Sequence, residues 1–163
     1  TKDRIFSLIN VEEDINMKLR EQMPELTGAT SWINDEVTKE DLVGDKATLI
    51  HFWSVSCHLC KEAMPEVNDL RDEYDDQLNV VAVHMPRSED DLDMGVIEAM
   101  AMGHDITQPI YVDSEHKLTD AFENKYVPAY YVFDKEGQLR HFQAGGNGMP
   151  MLRKRINRVL GEE

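Results

Sequence analysis

Cys57 and Cys60 are the only cysteines in the chain, and His58 and Leu59 separate them in the segment SVSCHLCKEAMP, residues 54–65. Two thiols at this spacing can close a short disulfide, give two sulfurs to a metal, or exchange disulfides with another molecule. A bridge over so short a loop stabilises a fold little, because it removes little entropy from the unfolded chain. A metal asks for more. Cys57, His58 and Cys60 offer two sulfurs and a nitrogen, whereas structural zinc commonly takes four ligands. Downstream, His84, His104, His116 and His141 show no ligand spacing. Disulfide exchange needs only the pair, provided that one thiol ionises readily.

Ionisation depends on what positions the pair. The preceding run TLIHFWSV is nearly all apolar or β-favouring, the pattern of a strand buried on both faces of a sheet. The following segment, CHLCKEAMPEVNDLRDEY, places Cys60, Ala63, Met64, Val67, Leu70 and Tyr74 on one helical face. Cys57 therefore falls at a helix N-terminus, where free amide groups and the helix dipole favour an anion. Cys60 lies one turn deeper, placed to close the ring.

Further along, LNVVAVHM and QPIYVD read as strands, while VPAYYVFD, the turn KEGQ and LRHFQAG read as a hairpin. Ser88 is the expected cap of a helix over DDLDMGVIEAMAMG, and Ser114 of one over HKLTDAFENKY. The acids of SEDDLD suit the positive end of that helix. MPMLRKRINRVL is a closing helix with a basic outer face. Upstream, TSWIN suggests a small hairpin and EVTKEDLVGDK a short helical turn. Strands alternating with helices, closed by a hairpin, imply a three-layer α/β/α domain on a mixed sheet.

The 163 residues are enough for one such domain. Thirty-two acids against 17 lysines and arginines give a net charge of −15, spread along the chain. Such a surface repels a phosphate backbone, which argues against nucleic acid as a partner. No stretch reaches the roughly 18 apolar residues of a membrane span, so no membrane partner is expected. The methionines of AMAM fall on a helix and read as packing, not as copper ligands.

FWSVSCHLCKEAMP, followed at a distance by YVPAYYVFDKEGQ, resembles the thioredoxin superfamily and within it the TlpA/ResA-like branch. The resemblance runs from about Met23 to Leu160 and implies a thioredoxin-like fold. It also implies a protein thiol-disulfide oxidoreductase without a cofactor, with Cys57 as nucleophile and Cys60 as resolving thiol. By position, Trp53 and Pro65 are structural residues of the site, and Pro65 is expected to kink the helix. Pro128 corresponds to a proline after a cis peptide bond, and Val127 to the residue whose backbone pairs with an extended substrate. His51, six residues before Cys57, stands where thioredoxin has a buried acid; it is expected either to take the Cys60 proton or to be a core histidine hydrogen-bonded to its neighbours, with position favouring the first. His58 either favours the thiolate beside it or shapes partner contacts. The implied partners are protein disulfides or dithiols and an upstream electron donor such as a thioredoxin reductase, in the cytoplasm. Two positions depart from the family pattern: Ser56 replaces a common Trp, and Ala63 a common Glu. Glu62 is one residue early, about 100° around the helix. The alternative reading remains a metal-binding or metallochaperone module on Cys57, His58 and Cys60.

The resemblance leaves out residues 1–16, which are read as an N-terminal extension, non-native or peripheral, ahead of a domain over 17–163. Met17 followed by Lys has the look of a start, and VEEDIN before it the look of a translated ribosome-binding segment. A chain beginning at Met17 is expected to match the full chain in disulfide-reductase rate. Its melting temperature is expected within a few degrees, the effect of a loss under about 1 kcal/mol.

Overall fold

The computed structural model describes residues 17–162. The expectation for residues 1–16 therefore lies outside the described residues. The strands are β1 (Ser31–Ile33), β2 (Ala47–Trp53), β3 (Leu78–His84), β4 (Ile110–Val112), β5 (Ala129–Phe133) and β6 (Leu139–Ala144). The helices are α1 (Lys39–Leu42), α2 (His58–Glu73), α3 (Met94–Gly103), α4 (Lys117–Phe122) and α5 (Met149–Gly161).

The strands form one six-stranded sheet in the order β1-β4-β3-β2-β5-β6. β2 pairs parallel with β3 and antiparallel with β5, so the sheet is mixed. All seven residues of β2 are buried, as the apolar run TLIHFW requires of a central strand. Alternation along it sorts the two faces. Leu49 and Trp53 pack with Cys60, Met64 and Val67 of α2, Ile97 of α3, and Leu152 and Ile156 of α5. Ile50 and Phe52 pack on the other face with Leu118 and Phe122 of α4 and with Met17, Met23 and Leu26. The three expected layers are present.

Four local expectations change, three of them because a carboxylate or a distant strand outcompetes a sequence neighbour. TSWIN forms no hairpin: β1 is an edge strand, antiparallel to β4 with Ser31 opposite Val112. Ser88 makes no side-chain cap, and the acids after it form a 3₁₀ turn, Glu89–Leu92. Asp93 starts α3 instead, its carboxylate accepting the Val96 N–H at 3.2 Å. Ser114 is displaced in the same way. Asp113, buried, accepts the Leu118 and Thr119 amides at 3.1 and 2.7 Å. An ionised acceptor holds an amide more strongly than a hydroxyl does. Met102, read as packing, points to solvent. The expected hairpin of β5 and β6 is present: Asp134 accepts the Glu136 and Gln138 amides, and Gly137 takes the positive φ of 83° that the turn needs.

Candidate active site

β2 ends at Trp53, and residues 54–57 form a turn closed by the Cys57 N–H donating to the Ser54 carbonyl at 3.0 Å. Cys57 then caps α2. Its sulfur accepts the Cys60 backbone N–H at 3.1 Å, so a first-turn amide is aimed at the sulfur. Cys57 and Cys60 are joined in a disulfide, with Cα atoms 5.3 Å apart, and both residues are buried. A thiolate at Cys57 would meet this amide and the positive end of a 16-residue helix.

His58 is exposed, and its Nε2 lies 2.9 Å from Glu62. The displaced glutamate thus lies against the His58 ring, and Ala63 is core. Among the described residues no group of three or more histidine, cysteine or acidic side chains is gathered to hold a metal. Pro65 sits on the exposed side of α2, which runs through it as one helix. Trp53 is buried, edge-on to His84 with ring centroids 5.0 Å apart.

The peptide bond between Val127 and Pro128 is cis. The Pro128 carbonyl accepts the Gly145 N–H at 2.9 Å, which ties the loop after β6 to the start of β5. In that loop a Cβ on Gly146 would come within 3.3 Å of Leu59. A glycine there lets the backbone approach the dipeptide between the cysteines. The loop after β6 therefore bridges Leu59 and Pro128, and Leu59 itself is exposed.

His51 is buried on the β2 face that α2 covers. Arg71 Nη1 donates to Gln108 Oε1 at 2.8 Å, which leaves the Gln108 amide group to donate to His51 Nε2 at 2.9 Å. Burial, and then the charge of Arg71, pushes the His51 pKa down to about 3. Its ring stays neutral at physiological pH, with the Nε2 lone pair engaged.

A second polar cluster was not visible from sequence. His84, Asp91 and Arg87, from β3 and the connection after it, all reach the turn before Cys57. Burial lowers the His84 pKa to about 4, although Asp91 opposes it. The signal that could have pointed here is Ser56, a hydroxyl directly before Cys57.

A six-stranded mixed sheet carrying a CxxC disulfide at a strand-to-helix junction defines a thioredoxin-like redox protein. The chain belongs to the AhpC/TSA family, whose model matches residues 19–142. It is 76% identical over 146 residues to the thiol-disulfide oxidoreductase YkuV of Bacillus subtilis, covering 90% of this chain and 99% of that one. It is 26% identical over 128 residues to the thiol-disulfide oxidoreductase ResA of Oceanobacillus iheyensis, covering 78% of this chain and 64% of that one. Among solved structures, a thioredoxin-like protein in its oxidised form superposes with a TM-score of 0.84 at 76% identity, covering 90% of this chain and 99% of that one.

Because His51 and His84 are neutral when folded, the unfolded chain binds more protons below pH 6.5, and stability falls as pH drops from there. At pH 5 the His51 contribution to this loss is about 2 kcal/mol. Denaturant unfolding at pH 7 and pH 5 measures it. A His51→Asn chain is expected to show a shallower fall over the same interval, whatever its absolute stability.

Proposed function

We propose that this chain is a protein thiol-disulfide oxidoreductase of the TlpA/ResA-like branch, working as a reductant. The Cys57 thiolate attacks one sulfur of a substrate disulfide, and the other sulfur leaves as a thiolate that takes a proton. Cys60 then loses its proton and attacks Cys57 in the mixed disulfide. The second substrate thiol leaves, and the Cys57–Cys60 disulfide remains. The observation that carries the reading is the Cys60 amide aimed at the Cys57 sulfur, which favours the anion on the first cysteine of the pair.

An extended substrate segment pairs with the Val127 backbone and packs beside Pro128 and the exposed Leu59. His58, held by Glu62, belongs to that outer contact surface. Trp53 and Pro65 keep structural roles beneath it. In the resolving step His51, with a pKa of about 3 and its Nε2 lone pair held by Gln108, is a poor base for the Cys60 proton and serves as a neutral, buried hydrogen-bonding group. The protein substrates are disulfides returned to dithiols in the cytoplasm, where the glutathione and thioredoxin systems keep thiols reduced. An upstream dithiol donor such as a thioredoxin reductase restores Cys57 and Cys60. No helix among the described residues is long and apolar enough to cross a membrane.

In an insulin-reduction assay, Cys57→Ser is expected to lose at least 99% of the activity, roughly the hundredfold or larger loss that follows removal of a covalent nucleophile. Cys60→Ser is expected to accumulate mixed disulfides with its substrates, visible on non-reducing gels. Substantial activity in the Cys57→Ser chain would end this reading.

A further inference from the structure

The turn that carries Cys57 is held from outside by the end of β3 and the connection that follows it. Each of its three leading residues has a partner there. The Val55 N–H donates to His84 Nε2 at 3.2 Å. The hydroxyls of Ser54 and Ser56 donate to one oxygen of Asp91, at 2.9 and 2.8 Å, and the same oxygen accepts the Arg87 N–H at 2.8 Å. Burial pushes the Asp91 carboxyl up, but the Arg87 amide and the hydroxyls of Ser56 and Ser54 outweigh it and hold the pKa below its usual value. The acid therefore stays ionised at neutral pH, a fixed hub under the turn.

The side chain of Arg87 then returns over the turn. Its Nε donates to the Ser56 hydroxyl at 3.1 Å and its Nη2 to the Ser56 carbonyl at 2.7 Å. That carbonyl belongs to the peptide that supplies the Cys57 N–H. Asp91 and Ser56 thus aim a guanidinium at the peptide bond next to the reactive sulfur. A clamp made only to hold the turn is already complete with Asp91 and the two serines. Arg87 adds a charge.

Other charges near Cys57 do not duplicate it. His58 faces Glu62, Asp91 is a negative charge beneath the turn, and burial keeps His84 neutral. Lys61 follows Cys60 on α2 and is half-buried. Arg87 is the cation bonded to the turn itself.

We propose that Arg87, aimed by Ser56 and Asp91, is a positioning residue of the redox couple that favours the Cys57 thiolate, and with it the reduced dithiol, over the disulfide. The inference rests on Cys57 being the nucleophile. The reaction it biases is exchange with glutathione: the protein disulfide and two glutathione thiols give the protein dithiol and one glutathione disulfide, two electrons passing to the protein. A cation bonded to the peptide that precedes Cys57 stabilises the product side of that exchange.

The test uses the full chain and Arg87→Gln, with Arg87→Lys as the conservative variant. Iodoacetamide alkylation of reduced Cys57 across pH 5 to 9 gives the thiol pKa, and equilibration with glutathione buffers gives the exchange constant. Arg87→Gln is expected to raise the pKa and slow alkylation at pH 7 roughly three- to tenfold, the effect of one exposed or half-exposed charge. The glutathione equilibrium is expected to move toward the disulfide by a similar factor, and Arg87→Lys to recover part of both changes. Wild-type pKa and wild-type equilibrium in Arg87→Gln would overturn the inference, even with a lowered melting temperature, because that pattern marks a purely structural clamp. Insulin reduction by the wild-type chain separates the two readings. Its absence would remove the oxidoreductase itself, whereas an active wild type with an indistinguishable Arg87→Gln would remove only the role of Arg87.

Discussion

One backbone amide organises this molecule: the N–H of Cys60, free because it lies in the first turn of α2, is aimed at the sulfur of Cys57. The contact exists only if a strand delivers Cys57 to the start of a helix with no slack between them. β2 does so by being buried along its whole length and pinned on both edges, parallel to β3 and antiparallel to β5. The sulfur then lies outside the carboxyl end of a central strand, between neighbours that run in opposite senses. Open α/β sheets place their sites outside the carboxyl ends of their strands.

Burying β2 so fully has a cost, because it carries His51 into the core and draws His84 in beside it on β3. Each histidine is kept by a different solution. His51 takes a hydrogen bond from Gln108, which is itself turned by Arg71. His84 accepts an amide from the turn that carries Cys57. Both rings remain neutral, which is cheaper than burying two cations. The same requirement explains the charged Asp91. It is tolerated in the interior because three donors converge on one of its oxygens.

The surface over the couple is built differently from the layers beneath it. Leu59 is exposed, Gly146 lets a loop approach it, and the Pro128 carbonyl holds that loop. A partner would meet backbone there together with the exposed Leu59, His58 and Tyr126. That suits recognition of an extended segment more than of a particular side chain. In a chain with net charge −15, the fixed cation of Arg87 at this rim stands out from the acidic majority.

Local pattern was enough to establish much of this. The CxxC spacing, the apolar run before it and the helical face after it placed the couple at a strand-to-helix junction. The alternation of strands and helices gave three layers and a mixed sheet. These features depend on residues within one or two turns of each other, which periodicity reports directly. Tertiary structure alone decided the partners. Asp91 binds Ser54 and Ser56 from more than thirty residues away, and Gln108 meets His51 across 57. Asp93 and Asp113 displaced the serines expected as caps, and β1 found β4 in place of a neighbour. Which acid turns inward depends on the order of strands in the sheet, and a linear pattern of charges does not carry that order.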